Sequence, residues 1–476
     1  MDEKAIAYVK NQIQQNSDRL LPYTRPTPNF SYPKRYAFFR IEKLIKGFLS
    51  GGRDQRWVVM PGLRGVGKTT ILAQIYYKFR EQLIANHIIY ISIDDVMSTI
   101  GISLREVLEA YEKILGSPLE QVKHPVCLLI DEIQLDVNWA LYLKALHDRA
   151  RNIFIVCTGS SAVLLQTNPD IARRAVIEKL YPLSFGEFKM IESNVFPTPQ
   201  LKQEIKNALY SKKTAKDVFE ELKKIEPKIN EYWKKIDSND VDKFLTVGTL
   251  PFAIKTMTQP QAYEAISQLL DRMITKDLTG LGKFDIKTLS SIKRLLFVMA
   301  DADSLSINKV SSILGFTNVT LVNVLEALEK AELIIRVPAH GSGAATARKP
   351  AKYLFMSPAI RMALVSVAGI KGAFSAKRGI LLEDVVGLHF YREFLTTGVG
   401  ILTHHSAAET ADFIFQIPDK LRIAVEIGSG SKNVSQVVKT MEMVSCDFGV
   451  VISSDELELH ERLNIVKVPI PYFLTM

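Results

Sequence analysis

Residues 62–69 form a glycine-rich loop whose residue types and spacing suit phosphate binding. The segment Gly-Leu-Arg-Gly-Val-Gly-Lys-Thr fills the GxxxxGK(S/T) pattern, between an apolar strand (WVVM) and an apolar-periodic helix (TILAQIYYKFREQL). Glycines permit a tight turn that presents backbone N–H groups to a phosphate, and the helix N-terminus adds the positive end of its dipole. Lys68 would reach the β- and γ-phosphates, and the Thr69 hydroxyl would ligate Mg²⁺. The pattern predicts a nucleotide site formed by Gly62, Arg64, Gly65, Val66, Gly67, Lys68, Thr69 and Thr70.

Two carboxylates, Asp131 and Glu132, follow a later apolar run, CLLI. At the end of a strand one carboxylate can reach a metal while its neighbour faces the attacking water. We expect Asp131 to hold Mg²⁺ through its water shell and Glu132 to polarise the nucleophilic water. The pair alone is a weak signal, but with the preceding loop it completes one Mg²⁺–nucleotide site.

Hydroxyl side chains follow a third apolar strand, IFIVC, and two arginines lie further on. Ligands bind at the carboxyl ends of parallel strands, so Thr158 or Ser160 is expected to contact the γ-phosphate or the water. A helix N-cap explains Ser160 or Ser161 equally well. Arg173 and Arg174 are either solvated cations or a source of charge stabilisation for phosphoryl transfer across a subunit or domain boundary.

The composition is that of a globular chain. Of 476 residues 47% are hydrophobic and 23% charged, which excludes a disordered or collagen-like polymer. The net charge of +9 permits nucleic-acid partners without proving them. Three widely separated cysteines in apolar surroundings indicate reduced thiols, and no long apolar stretch or signal-peptide core is present. We therefore expect a cytoplasmic protein with no membrane partner.

The pattern of apolar residues changes several times along the chain. From Arg56 to about Phe188, β-branched runs alternate with helical stretches, which predicts an α/β domain with a parallel sheet. Residues 190–285 are lysine-rich and helical. Residues 286–357 read as three short helices and two apolar runs joined by GSGAATARKPA. A helix beginning near Gly379 and several strands predict a second α/β unit.

Four segments resemble AAA+-type P-loop ATPases of archaea and bacteria that carry a winged helix and a restriction-endonuclease-like (PD-(D/E)XK-type) C-terminal domain. They are GLRGVGKTT, LLIDEIQ, NWALYLKALHDRARNIFIVCTGSSAVLL and, most specifically, RRAVIEKLYPLSFGEF. The resemblance implies that Arg174 is the family's arginine trigger, and that Pro251, in Gly-Thr-Leu-Pro, lies near the nucleotide in a helical lid. It implies a lead-in (1–54), an ATPase core (55–190), a lid (191–285), a winged helix (286–357) and an endonuclease-like domain (358–476).

The resemblance also identifies residues 306–355 as helix, turn, recognition helix and wing. The recognition helix carries Glu326 and Glu329, which oppose phosphate binding. Winged helices also contact proteins, so DNA and a protein partner both stay open. Side chains that could meet a groove are Asn318, Thr320 and Asn323, and loop cations that could meet phosphates are Arg348, Lys349 and Lys352.

Three acids match the metal ligands of endonuclease-like domains: Glu383, Asp412 and Glu426. In such nucleases two carboxylates hold Mg²⁺ and a strand lysine supports the attacking water. The matching lysine position here is Gly428, and the nearest lysine is Lys432 in the next loop. Either Lys432 replaces it, or the domain is a retired nuclease kept for binding or docking; the missing lysine favours the second.

The motifs together predict a Mg²⁺-dependent, ATP-binding and ATP-hydrolysing switch that is coupled to a winged helix and an endonuclease-like domain and acts on or near DNA. ATP or ADP and Mg²⁺ are the expected cofactors. The chain has no NKxD-type guanine reader, and the resemblance favours ATP. The alternatives are a metal-dependent DNA nuclease regulated by ATP and a nucleotide-gated adaptor that binds DNA or a protein. A monomer, a dimer and a ring all remain open.

Overall fold

The chain forms two compact units, Met1–Tyr181 and Pro182–Met476, in the computed structural model. The structure describes residues 3–160, 171, 173–255, 257–280, 284–302, 306–341, 349–367, 373–454 and 456–476. Among these residues no single helix is both long and apolar enough to cross a membrane. One bent pair, Ile307–Leu314 with Asn318–Lys330, meets that criterion only when its two helices are counted together.

A five-stranded sheet with strand order β2-β3-β4-β1-β5 is the centre of the first unit. Every pairing in it is parallel, and β1 to β4 are almost entirely buried. This confirms the predicted α/β core. The register places the ends of β1, β3 and β4 at one edge of the sheet. The strands are β1 (Trp57–Pro61), β2 (Ile88–Ser92), β3 (Val126–Asp131), β4 (Ile153–Gly159) and β5 (Val176–Ile177).

The helices of the first unit cover this sheet, and the N-terminal helix belongs to its core. Ala5, Tyr8 and Val9 pack in one apolar cluster with Trp57 and Val59. The predicted lead-in is therefore an integral layer of the first unit. The helices are Glu3–Thr24, Tyr36–Leu49, Lys68–Phe79, Ile93–Asp95 with a π-helical turn at Val96–Ile100, Leu104–Leu115 and Trp139–Arg149, with 3₁₀ turns at Leu119–Gln121 and Ile133–Leu135.

The second unit begins with helices around an aromatic cluster. Phe185 stacks on Trp233, and Phe188 and Phe244 pack against Phe185. A β-carbon added at Gly248 would lie 2.7 Å from the Phe188 ring, so this position requires glycine. These segments are Phe185–Ser193, Pro199–Tyr210, Ala215–Trp233, Asp240–Lys243, Phe244–Gly248, Pro251–Ala253, Gln259–Arg272, Met273–Asp277 and Leu278–Gly280.

Three helices and a two-stranded hairpin follow, in the order predicted for residues 286–357. The helices are Ile286–Asp301, Ile307–Leu314 and Asn318–Lys330. Gly315, at φ +69°, ends the second helix, and the Thr317 hydroxyl caps the third by accepting from the Thr320 N–H. Strands β6 (Ile334–Val337) and β7 (Lys352–Phe355) are antiparallel, with Val337 opposite Lys352.

The C-terminal part contains a six-stranded mixed sheet with the order β12-β13-β11-β10-β9-β8. β10, β11 and β13 are mutually parallel and the other pairings antiparallel. The helix expected near Gly379 begins earlier, at Ala373. The strands are β8 (Ile401–Thr403), β9 (Phe413–Ile417), β10 (Leu421–Ile427), β11 (Phe448–Ser453), β12 (Glu458–His460) and β13 (Ile465–Pro469), and the helical segments are Pro358–Val367, Ala373–Phe390, Tyr391–Leu395, Ser435–Met443, Glu461–Leu463 and Ile470–Leu474.

A fully buried ion pair joins several of these segments. Both carboxylate oxygens of Asp384 accept from the Arg361 guanidinium, at 2.6 and 2.8 Å. Arg361 also donates to the carbonyls of Met299 and Ala300, and Asp384 accepts the N–H of Phe355. The pair thereby connects helix Ile286–Asp301, strand β7 and the two helices that follow it.

Asp384→Ala is expected to destabilise the second unit strongly, because it leaves the Arg361 cation buried and uncompensated. The free energy of unfolding should fall by about 3–5 kcal/mol. Urea unfolding of the full chain, followed by circular dichroism, measures the change. Glu461→Ala is the control, since the Lys216–Glu461 pair is exposed and its loss should barely move the midpoint. Equal shifts in the two variants would contradict the role given to the buried pair.

Candidate functional site

The loop 62–67 has the backbone that phosphate binding requires. Gly65 and Gly67 have φ of +80° and +96°, a region that other residues enter only at a cost in free energy. Helix Lys68–Phe79 begins directly after Gly67. The Gly62 N–H donates to the Gly159 carbonyl at 3.2 Å, and a β-carbon at Gly62 would lie 2.2 Å from the Leu180 carbonyl oxygen. The loop is therefore anchored at its start by close backbone packing against its neighbours.

Lys68 is buried inside this loop. Its Nζ donates to the carbonyl oxygens of Gly62 at 2.8 Å and Leu63 at 3.1 Å. Both acceptors are uncharged, so these two hydrogen bonds do not neutralise the positive charge of Lys68. An anion that enters the loop would therefore meet an ammonium group together with a helix N-terminus.

Asp131, the last residue of β3, is almost completely buried and is held by three hydroxyl groups. Its Oδ2 accepts from Thr69 Oγ1 at 2.6 Å and from the Tyr90 hydroxyl at 3.0 Å, and its Oδ1 accepts from the Thr158 hydroxyl. Burial is the main cause that raises the pKa of Asp131, and Glu132 adds to it. Hydroxyl donors orient the carboxylate but bring no positive charge.

These residues fit a magnesium ion. Mg²⁺ prefers oxygen ligands, and it usually binds through one or two side chains together with water and phosphate oxygens. The Thr69 hydroxyl and the Asp131 carboxylate are in direct contact at the edge of the phosphate loop. The two side chains predicted to hold the metal are thus brought together.

Glu132 turns toward the phosphate loop. Its Oε2 lies 3.4 Å from Arg64 Nη2 and accepts from Gln134 Nε2 at 2.6 Å. Its backbone adopts φ +53°, which is uncommon outside glycine, and its N–H donates to Thr158 Oγ1 at 3.3 Å. Thr158 is therefore bonded to both acids at the end of β3.

Ser160 lies just beyond β4 and is buried. Its Oγ has no hydrogen-bond partner among the residues that the structure describes. A buried hydroxyl without a partner is costly, so a ligand that bonded to it would remove that cost. Ser161, the alternative cap residue, lies outside the described residues.

Arg174 lies at the other edge of the sheet. Its guanidinium donates to both oxygens of Asp148, at 2.8 and 3.1 Å. Asp148 is near the end of helix Trp139–Arg149, just before the start of β4, whereas the phosphate loop follows the end of β1. Because β1 and β4 are parallel, the start of one and the end of the other lie at opposite edges of the sheet. Arg174 therefore lies away from the phosphate loop of its own chain, and its expected action across a subunit or domain boundary stays a prediction. Arg173 is exposed.

Three residues near the site were not predicted from the sequence. Tyr90 bonds to Asp131, as described, and the parallel pairing of β2 with β3 brings its strand there. Arg35 donates to the carbonyls of Val66 in the loop, at 2.7 Å, and of Tyr181, at 3.0 Å. Gln134 holds Glu132. The position of Tyr90 near the end of an apolar run could have indicated that it lies near the site. The sequence around Arg35 and Gln134 gave no such indication.

The predicted residues of the second unit divide into two groups. Pro251 opens a short 3₁₀ turn after Gly248, and its contact with the nucleotide stays a prediction. Glu383, Asp412 and Glu426 do come close together, because Lys352 contacts both Glu383 and Asp412, and Asp412 lies against the residue after Glu426. Burial, together with the charge of Asp412, raises the pKa of Glu383 and of Glu426 to about 7. Asp412 Oδ2 also accepts the Ile427 N–H at 2.9 Å, which fixes it against β10.

Lys352 was wrongly assigned to the wing loop as a cation that could meet phosphates. It is the first residue of β7, and its largely buried ammonium lies between the carboxylates of Glu383 and Asp412. It pairs with these acids because hairpin β6–β7 packs against the C-terminal part of the unit. Arg348 lies outside the described residues, and Lys349 is exposed.

Comparison with known proteins identifies two segments and two archaeal relatives. Residues 54–189 match an AAA domain, and residues 238–371 match a domain of unknown function, DUF8612. The uncharacterized protein MJ1637 of Methanocaldococcus jannaschii is 32% identical over 98% of this chain and 96% of its own length. The uncharacterized protein MJ1544 of the same organism is 23% identical over 84% of this chain and 82% of its own.

Two solved structures align with much of this chain at low sequence identity. The Aeropyrum pernix Orc1 protein, solved in complex with DNA, aligns with 75% of this chain and 97% of its own at 12% identity and a TM-score of 0.33. Thermotoga maritima RuvB aligns with 64% of this chain and 90% of its own at 16% identity and a TM-score of 0.30.

Gly62→Ala is expected to weaken nucleotide binding by about tenfold or more, because the added methyl group would displace the start of the loop from the Leu180 carbonyl. Fluorescence titration with a labelled ADP measures the affinity. Gly47→Ala is the matched control, since a β-carbon at Gly47 meets nothing within 4 Å. Unchanged affinity in folded Gly62→Ala would show that this packing does not shape the site.

Proposed function

We propose that this chain, which belongs to the same protein family as MJ1637 and contains an AAA domain, is an ATPase switch that binds Mg²⁺ and ATP at the carboxyl edge of its parallel sheet. One observation supports it most: Lys68 lies within the phosphate loop while Thr69 contacts the buried Asp131 at its edge. An ammonium group binds phosphate, and a hydroxyl beside a carboxylate binds magnesium. Lys68 and Thr69 are consecutive residues, so one Mg²⁺–nucleotide could use both.

In this proposal each residue of the first unit has a separate task. Lys68 exchanges its backbone carbonyl partners for β- and γ-phosphate oxygens. Thr69 and Asp131 would hold Mg²⁺, whose positive charge would neutralise the charge of the phosphates. Thr158 keeps Asp131 oriented, and the unpartnered Ser160 hydroxyl donates to the γ-phosphate or to the attacking water.

Glu132 is the residue that activates water. In the arrangement described its Oε2 is bonded to Arg64 and Gln134, which sets the orientation of the carboxylate, and water would give its proton to a carboxylate oxygen that these bonds do not use. Entry of a phosphate next to Arg64 would compete for the same guanidinium. ATP binding would thereby loosen the bond between Arg64 and Glu132 and let the carboxylate turn toward the attacking water.

The nucleotide state is passed to the second unit, whose hairpin and preceding helices act as a winged helix. Arg174 serves as the trigger toward the site of another subunit, and Pro251 contacts the nucleotide from the lid. DNA is one candidate partner. The exposed surface of helix Asn318–Lys330 bears Val319 and Val322, with 70% and 41% of their surface exposed, and this apolar character favours a protein partner.

Two substitutions separate binding from hydrolysis. Lys68→Ala should abolish detectable ATP binding, because it removes the only ammonium bonded to the loop among the described residues. Glu132→Gln should retain ATP binding and lose at least about a hundredfold in turnover, because the amide cannot accept the proton. Titration with labelled ATP and phosphate release measure the two effects.

Glu120→Gln is the matched control for Glu132→Gln, since Glu120 is exposed, lies on the surface turn Leu119–Gln121 and forms only an exposed ion pair with Arg149. It should leave both binding and turnover unchanged. Full turnover in a metal-loaded, folded Glu132→Gln protein would contradict the assignment of the base, and ATP binding by Lys68→Ala at wild-type affinity would contradict the assignment of the site.

A further inference from the structure

The three acids matched to a nuclease metal site lie on separate elements of the second unit. Glu383 is on helix Ala373–Phe390, Asp412 directly precedes β9, and Glu426 is on β10. Glu426 is 2% exposed, and the side chains of Glu383 and Asp412 are 17% and 18% exposed. Three carboxylates so close together and so deeply placed need positive charge or donors. The source of that charge decides whether the cluster can hold a metal.

Lys352 supplies one positive charge from the hairpin. Its Nζ contacts the Glu383 carboxylate and lies 3.2 Å from Asp412 Oδ1, so the ammonium bridges two acids on different elements. The same Nζ lies 4.8 Å from the centre of the Phe413 ring. A bridging position between two carboxylates is the position that a divalent cation would take.

Lys432 supplies the second charge from the loop after β10. Its Nζ donates to Glu426 Oε1 at 2.6 Å. Its chain lies directly over Gly428, where an added β-carbon would be 2.3 Å from Lys432 Cγ and 2.6 Å from Cε. The absence of a side chain at Gly428 thus leaves room for Lys432 to reach Glu426, and any side chain at position 428 would block the lysine.

The contacts leave no fit for a divalent cation. Each acid is already paired with an ammonium, and Asp412 Oδ2 is further occupied by the Ile427 N–H. Glu426 Oε2 is buried and takes no part in the ion pairs of Lys352 and Lys432. Within the described ranges, no group of three or more His, Cys, Asp or Glu side chains could hold a metal ion.

We propose that the ammonium groups of Lys352 and Lys432 replace the divalent cation in this cluster, and that the two ion pairs of Lys352 form an ionic lock between hairpin β6–β7 and the C-terminal part of the unit. Lys352 and a metal ion exclude each other. The lock fastens the hairpin to the C-terminal part, so the two move together. This inference concerns the second unit alone and does not depend on the ATPase proposal.

Mn²⁺ alone is the probe for the cation position. The nucleotide-free full chain is titrated with Mn²⁺ by calorimetry and electron paramagnetic resonance, as wild type, Lys352→Met, Asp412→Asn and the double variant. Wild type and Asp412→Asn should bind Mn²⁺ alike. Lys352→Met should gain one site, at least about tenfold tighter than any binding in wild type, and the double variant should lose it.

Two results would overturn the exclusion of metal by Lys352: a wild-type Mn²⁺ site that Asp412→Asn removes, or a folded Lys352→Met protein that gains no site. The first comparison needs no Lys352 variant, so it holds even if Lys352→Met does not fold. Lys349→Met removes an exposed lysine three residues away and should gain no Mn²⁺ site; a gain there would also overturn the inference.

Hydrogen exchange tests the lock itself. Amides of β6 and β7 should exchange at least about tenfold faster in Lys352→Met than in wild type, because the hairpin loses its bond to the C-terminal part. Lys349→Met should match wild type. Lys352→Arg, which keeps a cation, should restore most of the protection. Unchanged exchange in Lys352→Met would show that the ion pairs do not fasten the hairpin.

Discussion

A buried carboxylate must receive hydrogen bonds or positive charge, and the two units meet this requirement in different ways. In the first unit Asp131 is held by the hydroxyls of Thr69, Tyr90 and Thr158, which are neutral. In the second unit the acids are held by lysine ammonium groups. The same residue type is therefore left without a paired cation in one unit and is closed into an ion-pair network in the other.

This difference explains how the parts could work together. A carboxylate with neutral donors is oriented but can still accept a cation, so the edge at which we propose ATP binding suits a ligand that arrives with its own metal. The lysine-filled cluster needs no ligand and serves to hold segments together. A similar role belongs to Arg361 and Asp384, whose buried pair connects helices and β7. The chemistry that we propose is thus concentrated in the first unit, and the ion pairs of the second unit hold its own segments together.

Much of the first unit could be predicted because its signals are local. The alternation of apolar runs predicts the parallel sheet, and the phosphate loop and Asp131 follow from contiguous motifs. Tyr90 and Arg35 could not be predicted, since their contacts depend on strand register and on the path of the N-terminal segment. Lys352 was misplaced for the same reason: its partner Asp412 is 60 residues away in sequence, and only the packed fold brings them together.

In the arrangement that we propose, Asp131 binds a cation that arrives with the nucleotide. The most direct test of this arrangement is the effect of Mg²⁺ on ADP affinity, measured by calorimetry in wild type and Asp131→Asn. Mg²⁺ should tighten ADP binding by about tenfold or more in wild type, about 1.4 kcal/mol, and by almost nothing in Asp131→Asn. An equal Mg²⁺ effect in both proteins, or none in wild type, would contradict the account.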